Sequence, residues 1–146
     1  MYQEVFPVNT GRNEYNKCRR HHHDEEETAY FIRGTTPVFE ADLYDDEGPL
    51  DLSDLAALEA YVSQDTESGE SVVITKTFDD IEIDGGTIRF TLTQEETLKF
   101  ESGDELFPKF AFVQIRGLNP DGMAWATLDE WEVKVYRLAK EAVINA

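Results

Sequence analysis

Cys18 and the run His21-His22-His23 are the residues of this sequence best suited to ligate a transition metal. Thiolate and imidazole both bind zinc, copper and nickel well. Their spacing has neither the C-x-x-C nor the H-x-x-x-H form that closes a tetrahedral site, so weak surface affinity is all it supports. The 3 histidines and 1 cysteine all fall before residue 28. The remainder of the chain therefore lacks the nucleophile–imidazole pairs of serine and cysteine hydrolases. Two carboxylates suffice for a glycosidase. Here, with 31 Asp and Glu mostly on outward strand positions or in turns, no pair stands out. We expect no enzymatic activity, no catalytic residue, no cofactor and no bound metal.

Two acidic stretches, Asp45-Asp46-Glu47 and Asp79-Asp80-Ile81-Glu82-Ile83-Asp84, offer oxygen ligands of the kind calcium takes. Neither has the D-x-D-x-D-G order of an EF-hand loop, and acidic turns that cap local backbone account for both. Asp84-Gly85-Gly86 lacks the Gly-Lys-Ser/Thr ending of a phosphate loop. Trp125, Trp131, Tyr136, Phe110 and Phe112 could stack on a sugar if they share an exposed face, whereas alternating aromatics on strands more commonly form a core.

The elements that must position these residues follow from composition and period. The chain has 146 residues, 40% of them hydrophobic and 12% aromatic, enough for one packed core. No apolar run approaches the ~20 residues of a membrane helix, and Met1–Thr10 lacks a signal-peptide pattern. One cysteine excludes an internal disulfide framework. The net charge of −18 argues against partners that are bound through clustered Lys and Arg, namely nucleic acid and anionic membrane.

Residues 1–27 are nearly all polar after a short apolar start and read as an extended or disordered arm. Tyr2, Phe6 and Val8 in that start are candidate assembly contacts. Residues 28–146 read as one β-domain. Phe39, Ala41 and Leu43 alternate against Glu40 and Asp42, which places those two acids on the outer face. Asp45–Pro49 is a turn, and Ser53 is a candidate cap for a short helical turn. Ala57–Ser63 has competing strand and helix periods, with strand favoured in its second half. Ser71–Phe78, Thr87–Leu92, Phe110–Arg116, Met123–Leu128 and Trp131–Leu138 read as strands, with turns at Asp84-Gly85-Gly86 and Asn119–Gly122. Thr93 and Glu96 form a capping box for one or two helical turns ending near Phe100. The tail from Ala139 reads as a short helix or a loose end. The spacing predicts an all-β fold: an immunoglobulin-like antiparallel β-sandwich of about seven strands with one short helix.

The runs Ile32-Arg33-Gly34-Thr35-Thr36-Pro37-Val38-Phe39 and Ile88 to Phe100, with its Thr93-Gln94-Glu95-Glu96-Thr97 core, resemble a group of small proteins of tailed phages and prophages of Firmicutes. That group is similar to the N-terminal domain of phage baseplate upper proteins, and the resemblance covers about residues 30–144. It implies a β-sandwich in the virion or tail, without catalysis, partnered by other phage structural proteins or by its own copies. It would lie in the virion, or in the host cytoplasm during assembly. Two alternatives are carried. A carbohydrate-binding module would use Trp125 and Trp131, and an acidic mimic of nucleic acid would use the charge. Residues 1–27 hold 4 of the 13 basic and 6 of the 31 acidic residues, which leaves 9 and 25 on residues 28–146. Acidity is also an ordinary route to solubility.

Overall fold

The computed structural model describes residues 29–66, 69–104, 106–127, 131–139 and 142–145. β-branched and aromatic residues at alternating positions fold as strands because each can bury one side against a core. In chain order these are β1 (Tyr30–Ile32), β2 (Val38–Asp42), β3 (Tyr44–Asp45), β4 (Gly48–Pro49), β5 (Ala57–Asp65) and β6 (Ser71–Lys76). After a 3-10 turn at Phe78–Asp80 come β7 (Glu82–Asp84), β8 (Thr87–Thr91) and the short helix α1 (Gln94–Thr97). β9 (Phe110–Leu118), β10 (Ala124–Ala126) and β11 (Trp131–Tyr136) complete the fold.

They form an all-β sandwich. The large sheet runs β1-β11-β9-β5-β6, with β10 also paired to β9. The small sheet runs β2-β8-β7, and β3 and β4 make a separate hairpin. The strands outnumber the seven expected because long runs are cut. Leu43 ends β2 by donating its N–H to Gly86 and accepting from Leu50. Among the described residues, every ladder is antiparallel except β1 with β11, where Tyr30, Phe31 and Ile32 pair in parallel with Lys134, Val135 and Tyr136.

The core lies between the sheets. Phe39 stacks on Phe90 at 5.2 Å within the small sheet. Phe31 of the large sheet meets Phe39 edge-on at 6.3 Å and Phe100 at 5.6 Å. Ile88, Phe90 and Leu92 point inward as their alternation requires.

Four local expectations are corrected. β5 is strand from Ala57 onward, not only in its second half, because ladders to β9 and β6 on both edges outweigh the competing helical period. Ser53 caps no helix; its N–H and hydroxyl both bond Asp51 Oδ1, so Asp51 heads a turn. Glu40 is not solvated but 2% exposed, because Arg89 on the neighbouring strand pairs with it. The described tail residues 142–145 form no helix, and Ile144 exchanges two hydrogen bonds with the Gln94 side chain at 2.7 and 3.1 Å.

The capping box is complete. The Thr93 hydroxyl accepts the Glu96 N–H at 3.1 Å, and Glu96 accepts the Thr93 N–H at 2.9 Å. Gly34, at φ +83°, turns the chain between β1 and β2 in a region that side chains rarely adopt. Its N–H donates to the buried Thr97 hydroxyl at 2.9 Å, and Arg33 donates to the Leu98 carbonyl at 2.7 Å. The Arg33–Pro37 and Thr93–Phe100 runs are therefore clasped to one another.

Candidate interaction face

Strand alternation puts Ala111, Val113, Ile115 and Gly117 of β9 into the core, so Phe110, Phe112, Gln114 and Arg116 point to the other side of the large sheet. β5 adds Glu59, Tyr61 and Ser63 to that side, and β6 adds Val73 and Thr75. β11 adds Glu132, Lys134 and Tyr136, and β1 adds Tyr30. Register aligns these into rows: Glu132, Phe112, Ser63 and Val73 in one, and Gln114, Tyr61 and Thr75 in the next.

The result is an outer face rich in aromatics. Tyr30, 44% exposed, meets Tyr136 edge-on at 5.5 Å. Phe110 and Phe112 are half-buried and Val73 is exposed. Leu106 and Phe107 are exposed in the loop that leads into β9, pinned by their N–H bonds to Asp104 Oδ1 at 3.0 and 2.8 Å.

Among the described residues, the strands of this face carry few charges, and these are nearly balanced. Arg116 and Lys134 stand against Glu59, Asp65 and Glu132. Arg116 bonds Glu59 at 2.9 Å, and its guanidinium sits 5.6 Å from the Tyr61 ring centre. The Tyr61 hydroxyl donates to the same carboxylate. The Tyr61 hydroxyl and then Arg116 hold the Glu59 carboxyl below its usual range. Burial first, and Glu59 second, push the Tyr61 hydroxyl up. The trio neutralises itself within the face.

The far side of the small sheet differs. Glu40, Arg89 and Glu82 form one row, and Asp42, Thr87 and Asp84 the next. Thr87 donates to Asp42 at 2.7 Å. An open cleft of about 520 Å³ lies between Asp42, Thr87 and the β3–β4 hairpin. The acidic turns cap backbone: Asp45 Oδ1 accepts the Glu47 N–H at 2.9 Å, and Asp121 Oδ1 accepts the Met123 N–H at 2.9 Å. Among the described residues, no group of His, Cys, Asp and Glu is placed to hold a metal ion.

The residues singled out from sequence fare unevenly. Tyr2, Phe6 and Val8, like Cys18 and His21–His23, lie outside the described residues. Trp125 is not a platform residue. It is 9% exposed, lies over Gly117, where a Cβ would come within 2.3 Å of its ring, and donates its Nε1–H to Asn119 at 3.1 Å. Trp131 pairs with Val113 at the start of β11, and the face of its side chain lies outside what is described. Tyr136, Phe110 and Phe112 do share the outer face. Tyr30, Tyr61 and Val73 join them there, a grouping that only the strand register reveals.

No protein-family model and no curated protein matches the chain.

Proposed function

We propose that this chain is a non-catalytic structural part of a phage or prophage particle, tail-associated and baseplate-like, that works by assembly with other phage structural proteins. The resemblance carried by Arg33–Pro37 and Thr93–Phe100 supports the phage setting, and the clasp between Gly34 and Thr97 gives both runs a structural purpose. The observation that carries assembly is the outer face of the large sheet. On a chain of net charge −18, a nearly neutral aromatic sheet face is where association costs least electrostatically. The test is mass spectrometry of purified particles after induction of a host that encodes the chain. Recovery at a fixed ratio to known tail proteins is the expected result. Absence from particles despite abundant expression overturns the reading.

A carbohydrate-binding module is the second reading, favoured by the exposed Tyr30 ring beside Tyr136. It loses Trp125 to the core. Host-surface glycans that quench or shift tyrosine fluorescence, and lose that effect in Tyr30→Ala, would favour it over assembly.

A further inference from the structure

We infer that the outer face of the large sheet packs against the same face of a second copy across a two-fold axis, with Phe112 near its centre. The inference deepens the assembly reading and rests on it in taking this face as the working surface.

Four observations carry it. First, position: β9 is the middle strand of five, and Phe112 lies in a row with Glu132 on one side and Ser63 and Val73 on the other. Second, area: five strands ~4.8 Å apart, of 3, 6, 9, 9 and 6 residues in sheet order, at ~3.3 Å per residue span roughly 24 by 22 Å on average. With side-chain relief this approaches the ~800 Å² per partner of a standard interface.

Third, charge. Each copy carries −18, so two copies repel unless they meet where charge is balanced. This face offers Arg116 and Lys134 against three carboxylates, and Arg116 is already paired with Glu59. Glu132 and Lys134, two positions apart on β11, give a two-fold mate opposite charges to meet. A two-fold interface requires such self-complementarity. Fourth, the sheet's edges are guarded against the alternative of edge-to-edge pairing. β1 has only three residues, and β6 ends in the inward-pointing Lys76, held by Glu96 at 2.8 Å.

Sedimentation equilibrium of the full chain tests the inference. The expected species is a dimer of twice the 16.7 kDa chain mass. Added salt should strengthen it, because screening weakens the repulsion between acidic bodies while leaving the apolar contact. Phe112→Lys should weaken it by at least ~30-fold, as expected for a central aromatic anchor. Ser63→Arg, which removes no aromatic, should do the same, and unchanged circular dichroism would show that each variant is folded. A wild-type monomer at all concentrations and salts overturns the inference. So does a dimer indifferent to both substitutions. A monomer that is nonetheless recovered in purified particles overturns self-association and leaves the assembly role. A Phe112-dependent dimer that is absent from particles supports the interface and removes the phage role.

Discussion

The Thr97 hydroxyl joins the β1–β2 turn to α1. It accepts the Gly34 N–H at 2.9 Å, and its proton has the Thr35 and Gln94 carbonyls at 3.1 and 3.0 Å. Thr97 is fully buried, so Thr97→Val should leave the Gly34 N–H unsatisfied at a cost of about 1–3 kcal/mol. Thr97→Ser should recover most of it, read by urea unfolding. The Glu40–Arg89 pair is a second such residue-scale device. Arg89→Ala strands a buried carboxylate and should cost about 3 kcal/mol, the low end of the range for a broken buried pair, because Arg89 itself is partly solvated. Glu40→Gln should cost less. Glu96 sets a pH dependence. Burial raises its pKa, but the bonds from Lys76 and Thr93 outweigh that and hold it below the usual range. Its contribution is therefore present above the unfolded carboxylate pKa and lost as pH falls through the lower folded value. Unfolding measured from pH 7 to pH 3 should show a loss of stability that is smaller in Glu96→Gln. The Thr93–Glu96 box was readable in the sequence because its partners are three residues apart. The Thr97–Gly34 bond spans 63 positions and Glu40's burial depends on a cross-strand partner, so neither leaves a local signal.

Among the elements, those bounded by turn chemistry were legible and those decided by tertiary pairing were not. The Asp84–Gly86 and Asn119–Gly122 turns form where Gly and Asp require them, with Gly85 and Gly122 at φ +64° and +90°. β5 carried two periods at once, and only its ladders to β6 and β9 choose between them. The β9–β10 hairpin explains Trp125. Its ring covers Gly117 so closely that a methyl group there cannot be accommodated. Gly117→Ala should push Trp125 outward, with a red shift in tryptophan fluorescence and a cost of about 1–3 kcal/mol from overpacking. The buried Gln64 is the other element-level tie. It bonds both the N–H and the carbonyl of Glu101 at 2.6 and 2.9 Å, fastening the segment after α1 to β5. A polar residue at an inward strand position gives no hint from sequence of what it will hold.

At the scale of the whole molecule, charge and topology divide the surface. Carboxylates gather on the small sheet's far side and in the turns, and the large sheet's outer face is left nearly neutral. Self-repulsion at −18 works against the compact state, so moderate salt should raise the thermal midpoint by a few degrees, equivalent to ~1 kcal/mol for a domain of this size. The aromatic content of the candidate face was readable from composition and period; its assembly onto one surface was not, because that depends on the order β1-β11-β9-β5-β6. That order has a mechanical consequence. β1 lies parallel to β11, with Tyr30 opposite Lys134 and Ile32 opposite Tyr136. Tension applied through the chain before Tyr30 and after Tyr136 would pull these two strands past one another lengthwise. Their hydrogen bonds would then bear the load together in shear, rather than opening one at a time as in a peeled hairpin. Of the ladders described, the parallel pair is thus the one that a pull between those two points would load in shear.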